Sequence, residues 1–539
     1  MSLHAPAQPG TPTERTDAPA HGAALGRTPG RDRILSAVLF LLPAAVASAS
    51  IWNGIGGRQL WRDEHATWWA ATLSFGELGS LIRSIDVVFT PYYVLMHLWV
   101  GVAGDSATAL RVPGALAMAA AAGLLALLGR RMFTPQVGLL AGLAFAVVPA
   151  VTRYGQEVRP YAFAVAAVLL STLLLVRALE QPTFRVWVGY TLSIPLVGWS
   201  HLASLAVLAP HLILVVRARR AGDRIVGWAY AAAGILGLCF VLPMVASGAG
   251  QSGQIAWNNP GVKDLLEFPA HLFGSWAVAV PVMVLGLIGL CFTGRRALPL
   301  ALWIVLPPVA TFVTAAQLHL FLPRYLFFTA PAWVLLASVA VCRITGRVAR
   351  PPAAEPGASV PGTAARVGGW VLVAAAAGGL AFQALPGIEA ARGPVAGEPD
   401  FRGAAGIVRA GQRERDGIVF AGELAERRAL AYELRDDRAR PADVLMDRTP
   451  QELGSFGALE CPEPASCLSG ADRLWLVSTS PDPGEPFTGM PERTARAIRA
   501  EFKVVRTDGL DSVRVLLLER IPEAAKSRGD DAATRKVHS

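Results

Sequence analysis

The amino-acid sequence predicts an α-helical polytopic membrane protein with a small α/β domain at its C-terminal end. Hydrophobic residues account for 53% of the 539 residues and charged residues for only 17%, which is too apolar for an ordinary soluble enzyme. Apolar runs that could cross about 30 Å of hydrocarbon, which takes roughly 17–25 residues, recur as far as residue 386. Beyond residue 390 the charge rises and short apolar strands alternate with helical stretches, so a different kind of domain follows.

Eleven of the apolar runs predict transmembrane helices. They lie at residues 34–54, 109–129, 137–153, 160–178, 186–201, 202–216, 225–246, 275–293, 298–317, 325–342 and 368–386. A further apolar stretch, "FTPYYVLMHLWVGVAG" (89–104), is close to the minimum length for a span. If it crosses the membrane, the sidedness of every later loop is inverted.

The basic residues decide between these two topologies, because positive charge concentrates in cytoplasmic loops. With 89–104 on the outer surface and the N-terminus in the cytoplasm, every basic cluster faces the cytoplasm. The clusters are Arg130 with Arg131, Arg177 with Arg185, "RARRAGDR" (217–224), Arg295 with Arg296, and "RITGRVAR" (343–350). A spanning 89–104 segment, the alternative, would put most of them outside. We therefore predict an extracytoplasmic C-terminal domain.

The net charge of +9 does not indicate a nucleic-acid partner. Many of the arginines fall between apolar runs and not along one polar face. Their positions therefore indicate which loops face the cytoplasm. The chain has many more Arg than Lys residues and is rich in Ala, which is typical of proteins from GC-rich bacterial genomes. We therefore expect a multi-pass protein of the bacterial plasma membrane, with the lipid bilayer as its surroundings.

Four regions follow from these patterns. They are a disordered cytoplasmic tail (1–33), a transmembrane domain (34–386), an extracytoplasmic α/β domain (390–525) and a disordered tail (526–539). The first tail is polar, rich in Pro and Gly, and has no periodic apolar pattern. It is too long and too polar for the start of a secretory signal, so the first apolar run is predicted to stay as an anchor.

Within the α/β domain, short apolar runs predict strands and amphipathic runs predict helices. The strands are "GIVFAG" (417–422), "RLWLVST" (473–479) and "SVRVLLLERI" (512–521), and the helices are "FRGAAGIVRAG" (401–411) and "ERTARAIRAEF" (492–502). Cys461 and Cys467 would lie in an oxidising compartment, where a local disulfide is expected.

The stretch "LWRDEHATWW" (60–69) raises the first functional hypothesis. Asp63 is our candidate for a general base that takes a proton from an acceptor hydroxyl, and Glu64 is a second catalytic candidate that could orient a basic partner or bind a metal. The alternative is that both carboxylates complement the dipole of an interfacial helix. Trp68 and Trp69 are expected to hold that helix at the headgroup level.

Further polar groups collect in the same predicted outer loops, and ionisable groups at the membrane edge are functional candidates. The candidate substrate-binding residues are Gln156, Glu157 and Arg159 in "RYGQEVRP" (153–160), His201, and Arg324 with Tyr325. Arg159 and Arg324 could bind a lipid phosphate through their forked donors. Alternatively, Arg159 contacts a lipid headgroup or pairs with Glu157. The alternative for His201 is a hydrogen-bonded histidine at the membrane interface without a ligand.

The sequence contains no phosphate-binding loop, dinucleotide fingerprint or zinc-ligand spacing. A nucleotide-driven pump or a soluble nucleotide-sugar transferase would therefore have no place for its cofactor. A sugar donor should arrive already linked to a lipid. A divalent metal is possible but is not required by the sequence.

The order of these motifs resembles the polyprenyl-phosphate-sugar-dependent glycosyltransferases of the GT-C fold. "RDE" is followed by "TPYYVLMHLW", "LRVPGALAMAAAAGLLALLGRRMF" and "RYGQEVRPYAFAV", an order similar to glycosyltransferase family 39 and its bacterial mannosyl and aminoarabinose relatives. The resemblance covers roughly residues 34 to 345.

The resemblance implies an inverting transfer of one monosaccharide from a polyprenyl phosphate on the outer side of the membrane, and we expect the sugar to be mannose. It matches Asp63 to the family's base, the Gln156–Tyr161 turn to the donor site, and Arg324–Tyr325 to the segment near the carrier phosphate. The acceptor, whether protein, lipid or glycan, stays open. A lipid-sugar flippase or transporter and a non-catalytic envelope scaffold are the alternative functions.

Overall fold

The computed structural model describes residues 29–344, 363–422, 425–482 and 484–522. The predicted tail 526–539, nearly all of the predicted tail 1–33, and most of the basic cluster 343–350 lie outside these residues.

The membrane region consists of nineteen α-helices within the described residues. They are α1 (Pro29–Trp52), α2 (Arg62–Thr72), α3 (Phe75–Ser84), α4 (Thr90–Ala103), α5 (Ala107–Met132), α6 (Pro135–Ala146), α7 (Pro149–Gly155), α8 (Tyr161–Glu180), α9 (Phe184–Ser200), α10 (Leu208–Arg220), α11 (Arg224–Cys239), α12 (Leu242–Ala249), α13 (Val262–Phe273), α14 (Trp276–Cys291), α15 (Ala297–Val313), α16 (Ala315–Leu318), α17 (Pro323–Leu326), α18 (Ala330–Ile344) and α19 (Thr363–Arg392).

Seven stretches of the described chain are long and apolar enough to cross a membrane. They are Gly30–Trp52, Ala107–Met132, Tyr161–Glu180, Leu202–Arg220, Gly294–Val313, Pro323–Ile344 and Trp370–Arg392. Three bent pairs, α6 with α7, α11 with α12 and α13 with α14, raise the number to ten if each pair is one span. The chain is therefore a multi-pass helical membrane protein, as predicted.

The predicted number of spans, eleven, exceeds this range by one. The difference is the run 186–201, which forms α9, a helix of 17 residues at the lower limit for a crossing. The ambiguous segment 89–104 forms α4, which has 14 residues. Because α4 rises only about 21 Å at 1.5 Å per residue, it is too short to span alone.

Small residues let the membrane helices approach closely. A side-chain carbon added at Gly138 of α6 would overlap the carbonyl oxygen of Ala126 on α5, and one added at Gly289 of α14 would overlap that of Leu336 on α18. Helices in lipid gain van der Waals contact this way, because the hydrophobic effect does not drive their association there. These contacts bring α5, α6, α14 and α18 into one buried core.

A separate layer of short helices covers one end of the bundle. Helices α2, α3 and α4 share a buried cluster that includes Leu60, Trp68, Leu78 and Tyr93. Tyr432 and Phe456 of the C-terminal domain belong to the same cluster. The layer is thus enclosed between the membrane helices and that domain.

The C-terminal domain is built on a five-stranded sheet with the order β2-β1-β5-β7-β6. Its elements are α20 (Phe401–Gly411), β1 (Gly417–Ala421), α21 (Ala425–Glu433), β2 (Ala442–Asp443), β3 (Met446–Arg448), α22 (Pro450–Leu453), β4 (Leu459–Glu460), α23 (Pro464–Leu468), β5 (Arg473–Ser478), α24 (Glu492–Glu501), β6 (Phe502–Leu510) and β7 (Val513–Arg520). Strand β1 pairs in parallel with β2 and β5, whereas β7 is antiparallel to β5 and β6.

The predicted α/β character of this domain is confirmed. The three predicted strands correspond to β1, β5 and β7, and the two predicted helices to α20 and α24. Strand β6 was missed, because its exposed, charged sequence carries no apolar run. Cys461 and Cys467 form the predicted disulfide.

The domain is docked on the short-helix layer by polar contacts. Arg62 of α2 pairs with Glu398 at 2.9 Å, and Gln59 donates to the carbonyl of Pro399 at 2.8 Å. Asp105, in the loop before α5, accepts from the indole N–H of Trp68 at 2.9 Å and pairs with Arg435 of the domain at 3.2 Å. The side chain of Trp68 is only 6% exposed and contacts Tyr432 of the C-terminal domain. That domain and not lipid therefore covers Trp68, and the level of α2 relative to the headgroups stays a prediction.

Candidate functional site

Asp63, Arg159 and Arg324 meet at the end of the bundle that the short helices cover. The carboxylate oxygen Oδ2 of Asp63 lies 3.9 Å from Nε of Arg159 and 3.8 Å from Nη2 of Arg324. These residues come from α2, the turn before α8, and α17. The fold thus brings together three groups that the sequence predicted from separate loops.

Asp63 has this position because α2 begins one residue earlier. Residues in the first turn of a helix lie beside unpaired backbone N–H groups, which favour negative charge. The side chain of Asp63 remains 25% exposed, unlike that of its neighbour Glu64, which is fully buried. Of the two adjacent carboxylates, only Asp63 is accessible to a substrate.

Glu64 holds the site in place. Its two carboxylate oxygens accept hydrogen bonds from Arg111 at 3.1 and 2.8 Å, and its Oε1 also accepts from the backbone N–H of Val158 at 3.0 Å. Burial alone would raise the pKa of Glu64, but the charges of Arg111 and Arg58 lower it to about 2. The carboxylate therefore stays ionised, and this geometry favours a positioning role over the predicted catalytic one.

Arg111 was missed by the sequence analysis. Its guanidinium is fully buried and also donates to the backbone carbonyls of Ile55, Arg58 and Gln59. It therefore fixes the loop that leads into α2. The available signal was one arginine within an apolar run, "LRVPGALA" (110–117), which must find a partner when it is buried.

Gln156 and Glu157 lie behind the site and shape its turn. Gln156 donates through its side-chain amide to the carbonyls of Ile51 and Asn53 at 2.6 and 3.0 Å. Glu157 pairs with Arg153 at 2.9 Å, and its burial raises its pKa although Arg153 opposes the shift. Their substrate-binding role stays a prediction; their contacts tie the turn to α1 and α7.

The two arginines keep donors that no described residue satisfies. The Nε atoms of Arg159 and Arg324 are buried and have no hydrogen-bond partner among the described residues. Their ion pairs with Asp63, at 3.8 and 3.9 Å, are longer than hydrogen bonds. An anion that enters between them would gain hydrogen bonds that Asp63 does not provide.

Aromatic rings fix the orientation of both guanidinium groups. Arg159 stacks over the ring of Phe89 at 4.3 Å, and Arg324 lies 5.4 Å from the ring of Trp61. Cation–π contacts of this kind restrict a guanidinium without neutralising it. The positive charges are thus held in place and stay available.

His201 and Tyr325 form an aromatic pair beside Arg324. Their ring centroids are 4.5 Å apart. The ring of Tyr161 lies 6.1 Å from that of His201 and 5.9 Å from that of Tyr325. The hydroxyl of Tyr161 and Nδ1 of His201 are buried without a hydrogen-bond partner among the described residues. These two polar atoms could contact a bound substrate.

Asp86 is a second carboxylate near the site that sequence reasoning missed. It accepts from the hydroxyl of Tyr93 at 2.8 Å, and burial raises its pKa although Arg159 opposes the shift. Its backbone has φ of 60°, a conformation that costs energy in residues other than Gly and often accompanies functional sites. No sequence pattern around "SIDVVF" (84–89) marked it.

Within the part of the chain that the structure describes, no three His, Cys, Asp or Glu side chains form a metal-binding group. The positively charged neighbours of Asp63 and Asp86 are arginines. The groups that converge at the site are one carboxylate base candidate and two guanidinium groups, a set that suits a phosphate.

Comparisons with known proteins bear on the fold of the chain. Residues 89–246 match a family model described as dolichyl-phosphate-mannose-protein mannosyltransferase. This segment contains Gln156, Glu157, Arg159 and His201, and leaves out Asp63 and Arg324. No curated protein sequence matches the chain significantly.

Two solved structures of ArnT from Cupriavidus metallidurans are similar to this chain over nearly its whole length. The apo structure has a TM-score of 0.56 at 15% identity and covers 88% of this chain and 97% of its own. The structure bound to undecaprenyl phosphate has a TM-score of 0.57 at 15% identity and covers 91% and 99%. The predicted GT-C fold is therefore confirmed, including the C-terminal domain within the matched length.

Proposed function

We propose that this protein is a membrane glycosyltransferase. It moves one monosaccharide, mannose in our proposal, from a polyprenyl phosphate carrier to an acceptor hydroxyl, with inversion at the anomeric carbon. The observation that carries the proposal is the position of Asp63 within 4 Å of both Arg159 and Arg324. A base candidate and a phosphate-binding pair thereby share one site.

The arginines supply the electrostatic part of the reaction. As the bond between the anomeric carbon and the phosphate oxygen breaks, its electron pair goes to the phosphate, which leaves as polyprenyl phosphate. Donors already in place where this charge develops stabilise the transition state. The unsatisfied Nε atoms of Arg159 and Arg324 supply such donors.

Asp63 supplies the proton transfer. The acceptor hydroxyl gives its proton to the carboxylate of Asp63 while its oxygen attacks the anomeric carbon. Attack on the side opposite the leaving phosphate inverts the configuration. The partial exposure of Asp63 supports this role, because the acceptor must reach it from solvent.

The donor is proposed to be lipid-linked because of the position of the site. Arg324 begins the apolar helix stretch Pro323–Ile344, so the phosphate site lies at the end of a candidate span. The undecaprenyl phosphate in the similar ArnT structure and the mannose in the description of the matched family model support the carrier and sugar that we propose.

The site is proposed to face the extracytoplasmic side of a bacterial plasma membrane. The basic clusters favour this orientation. The disulfide between Cys461 and Cys467 supports it, since disulfides persist in oxidising compartments. The acceptor would then be a protein, lipid or glycan of the cell envelope.

The test is transfer of labelled sugar by the purified full-length protein from undecaprenyl-phosphate mannose to envelope extracts or, without acceptor, to water. Wild-type protein should release the label from the carrier, and Asp63→Asn should lower the rate about 10²–10⁴-fold, the usual contribution of a general base. Asp472→Asn, at an exposed position of the C-terminal domain, is the matched control and should keep the wild-type rate.

A wild-type protein that releases no label from carriers with mannose or other sugars would overturn the proposal. Unchanged transfer by Asp63→Asn would reject the assigned base.

A further inference from the structure

A cavity of about 630 Å³ lies between α2 and the C-terminal domain. Its walls come from Trp68 and Trp69 of α2 and from the segment that runs from α21 through β2 to α22. The volume is within the range of roughly 300–1,000 Å³ that is typical of small-molecule sites. The reaction scheme above does not use this cavity.

The cavity is strongly basic. Among the described residues, five arginines line it against one carboxylate, that of Asp443. The arginines are Arg427, Arg428, Arg435, Arg438 and Arg440. Such an excess of one charge in a cleft concentrates ligands of the opposite sign.

Three of these arginines have no ion-pair partner among the described residues. Arg427 is paired with Asp443 at 2.6 Å and Arg435 with Asp105 at 3.2 Å. For Arg428, Arg438 and Arg440, the described residues include no carboxylate within ion-pair distance, and Nε of Arg428 is buried without a hydrogen-bond partner there.

Aromatic rings form the other wall. Trp68 and Trp69 line the cavity together with Phe420, and the indole N–H of Trp69 is buried without a partner among the described residues. Aromatic rings pack against the C–H faces of sugar rings, while N–H groups donate to their hydroxyls. Rings beside guanidinium groups thus suit a saccharide that carries negative charge.

The cavity is adjacent to the proposed reaction centre. Trp69 follows Asp63 on the same helix, at a rise of about 9 Å along its axis. Arg428, which lines the cavity, is within electrostatic range of that centre: burial lowers its pKa, and Tyr93, Asp63 and Asp86 oppose the shift. A ligand in the cavity would therefore lie against the same helix that carries Asp63.

We propose that this cavity binds the acceptor, and that the acceptor is a saccharide bearing carboxylate or phosphate groups. That the ligand is the acceptor rests on the proposed glycosyl transfer. That the ligand is an anionic saccharide rests on Arg428, Arg438, Arg440 and the two tryptophans. The C-terminal domain then selects the substrate, and the membrane domain carries out the reaction.

The test is binding to purified full-length protein, measured by calorimetry and by quenching of tryptophan fluorescence. The probes are trigalacturonate, which carries carboxylates, mannose 6-phosphate, which carries phosphate, and neutral maltotriose. At least one anionic probe should bind wild-type protein and the neutral probe should not. The double variant Arg438→Gln/Arg440→Gln should lower the affinity at least tenfold. Both arginines are exposed, so these changes should leave folding intact.

The matched control is Arg493→Gln/Arg496→Gln, which removes the same charge from exposed positions on α24 and should bind like wild type. An equal loss of affinity in both double variants would mean that only net charge matters and would overturn the proposal. Absence of binding of both anionic probes to wild-type protein, or binding of maltotriose as tight as that of the anionic probes, would also overturn it.

Release of sugar from undecaprenyl-phosphate mannose by wild-type protein is measured in parallel. Release without binding of anionic saccharides would overturn the cavity proposal alone. Binding without release would overturn the acceptor role together with the proposed function, and would leave a saccharide site on a non-catalytic protein.

Discussion

Asp63 and Glu64 are neighbours in the chain and belong to two different networks. Glu64 is fully buried against Arg111, whereas Asp63 is partly exposed between Arg159 and Arg324. Successive residues of a helix point about 100° apart, since a turn takes 3.6 residues. One carboxylate can therefore anchor the helix while the other faces the site.

Replacement of Arg324 should impair use of the donor. Arg324→Gln removes one phosphate donor and should lower kcat/KM for the carrier-linked sugar about 10²–10³-fold. Arg324→Lys keeps the charge but loses the fork, so it should lose less and mainly through KM. Steady-state rates with varied donor check this. Arg83→Gln, on the exposed side of α3, is the control; equal rates for all three variants would contradict a phosphate-binding role.

Glu64→Gln should destabilise the protein. The change leaves Arg111 buried with no opposite charge, which typically costs about 3–5 kcal/mol of the free energy of unfolding. Unfolding in mixed SDS–detergent micelles measures it. Glu492→Gln breaks exposed pairs with Arg496 and Arg499 and should change the free energy by about 1 kcal/mol or less. A loss of similar size in both variants would argue against the Glu64–Arg111 anchor.

Acid should release the same anchor. The pKa of Glu64 is lowered in the folded protein from 4.5 to about 2, so its contribution to stability is present above pH 4.5 and is lost as the pH falls toward 2. The apparent melting temperature should fall over this window. Glu64→Gln lacks the titrating carboxyl and should show a shallower decrease there; parallel curves would show that other groups dominate.

The disulfide should be present in protein taken from membranes. After unfolding without reductant, alkylation should modify Cys239, Cys291 and Cys342 and leave Cys461 and Cys467 unmodified by mass spectrometry, since those two are bonded. Cys461→Ser/Cys467→Ser should lower the free energy of unfolding by about 2–3 kcal/mol. Alkylation of Cys461 and Cys467 before reduction would oppose an extracytoplasmic location of the domain.

The local patterns of the sequence predicted the apolar spans, three strands (β1, β5 and β7) and two helices (α20 and α24) of the C-terminal domain, and they singled out candidate residues whose roles stay predictions. Asp63, Arg159 and Arg324 could be predicted because charged groups at the ends of apolar runs are costly and stand out. The structure adds their distances. It also separates Asp63 from Glu64, which spacing in the chain left equivalent.

The remaining features depend on contacts between distant segments. Arg111 is one arginine in an apolar run until its partner Glu64 is placed beside it, and Asp86 acquires its environment from Arg159 and Tyr93. Tryptophan is a residue type typical of membrane interfaces, yet the ring of Tyr432 packs edge-to-face against Trp68, with ring centroids 5.1 Å apart. No local pattern in α2 shows that a domain more than 300 residues later in the chain covers it.

The most direct test of the central claim is the affinity of purified protein for undecaprenyl phosphate, measured for wild type, Asp63→Asn and Arg159→Gln/Arg324→Gln. Asp63 carries a negative charge within 4 Å of both arginines, so its neutralisation should tighten carrier binding while transfer is lost, whereas the double arginine variant should bind weakly. Tighter binding together with lost transfer is the predicted result. Weaker carrier binding by Asp63→Asn, or wild-type binding by the arginine variant, would contradict a shared phosphate and base site.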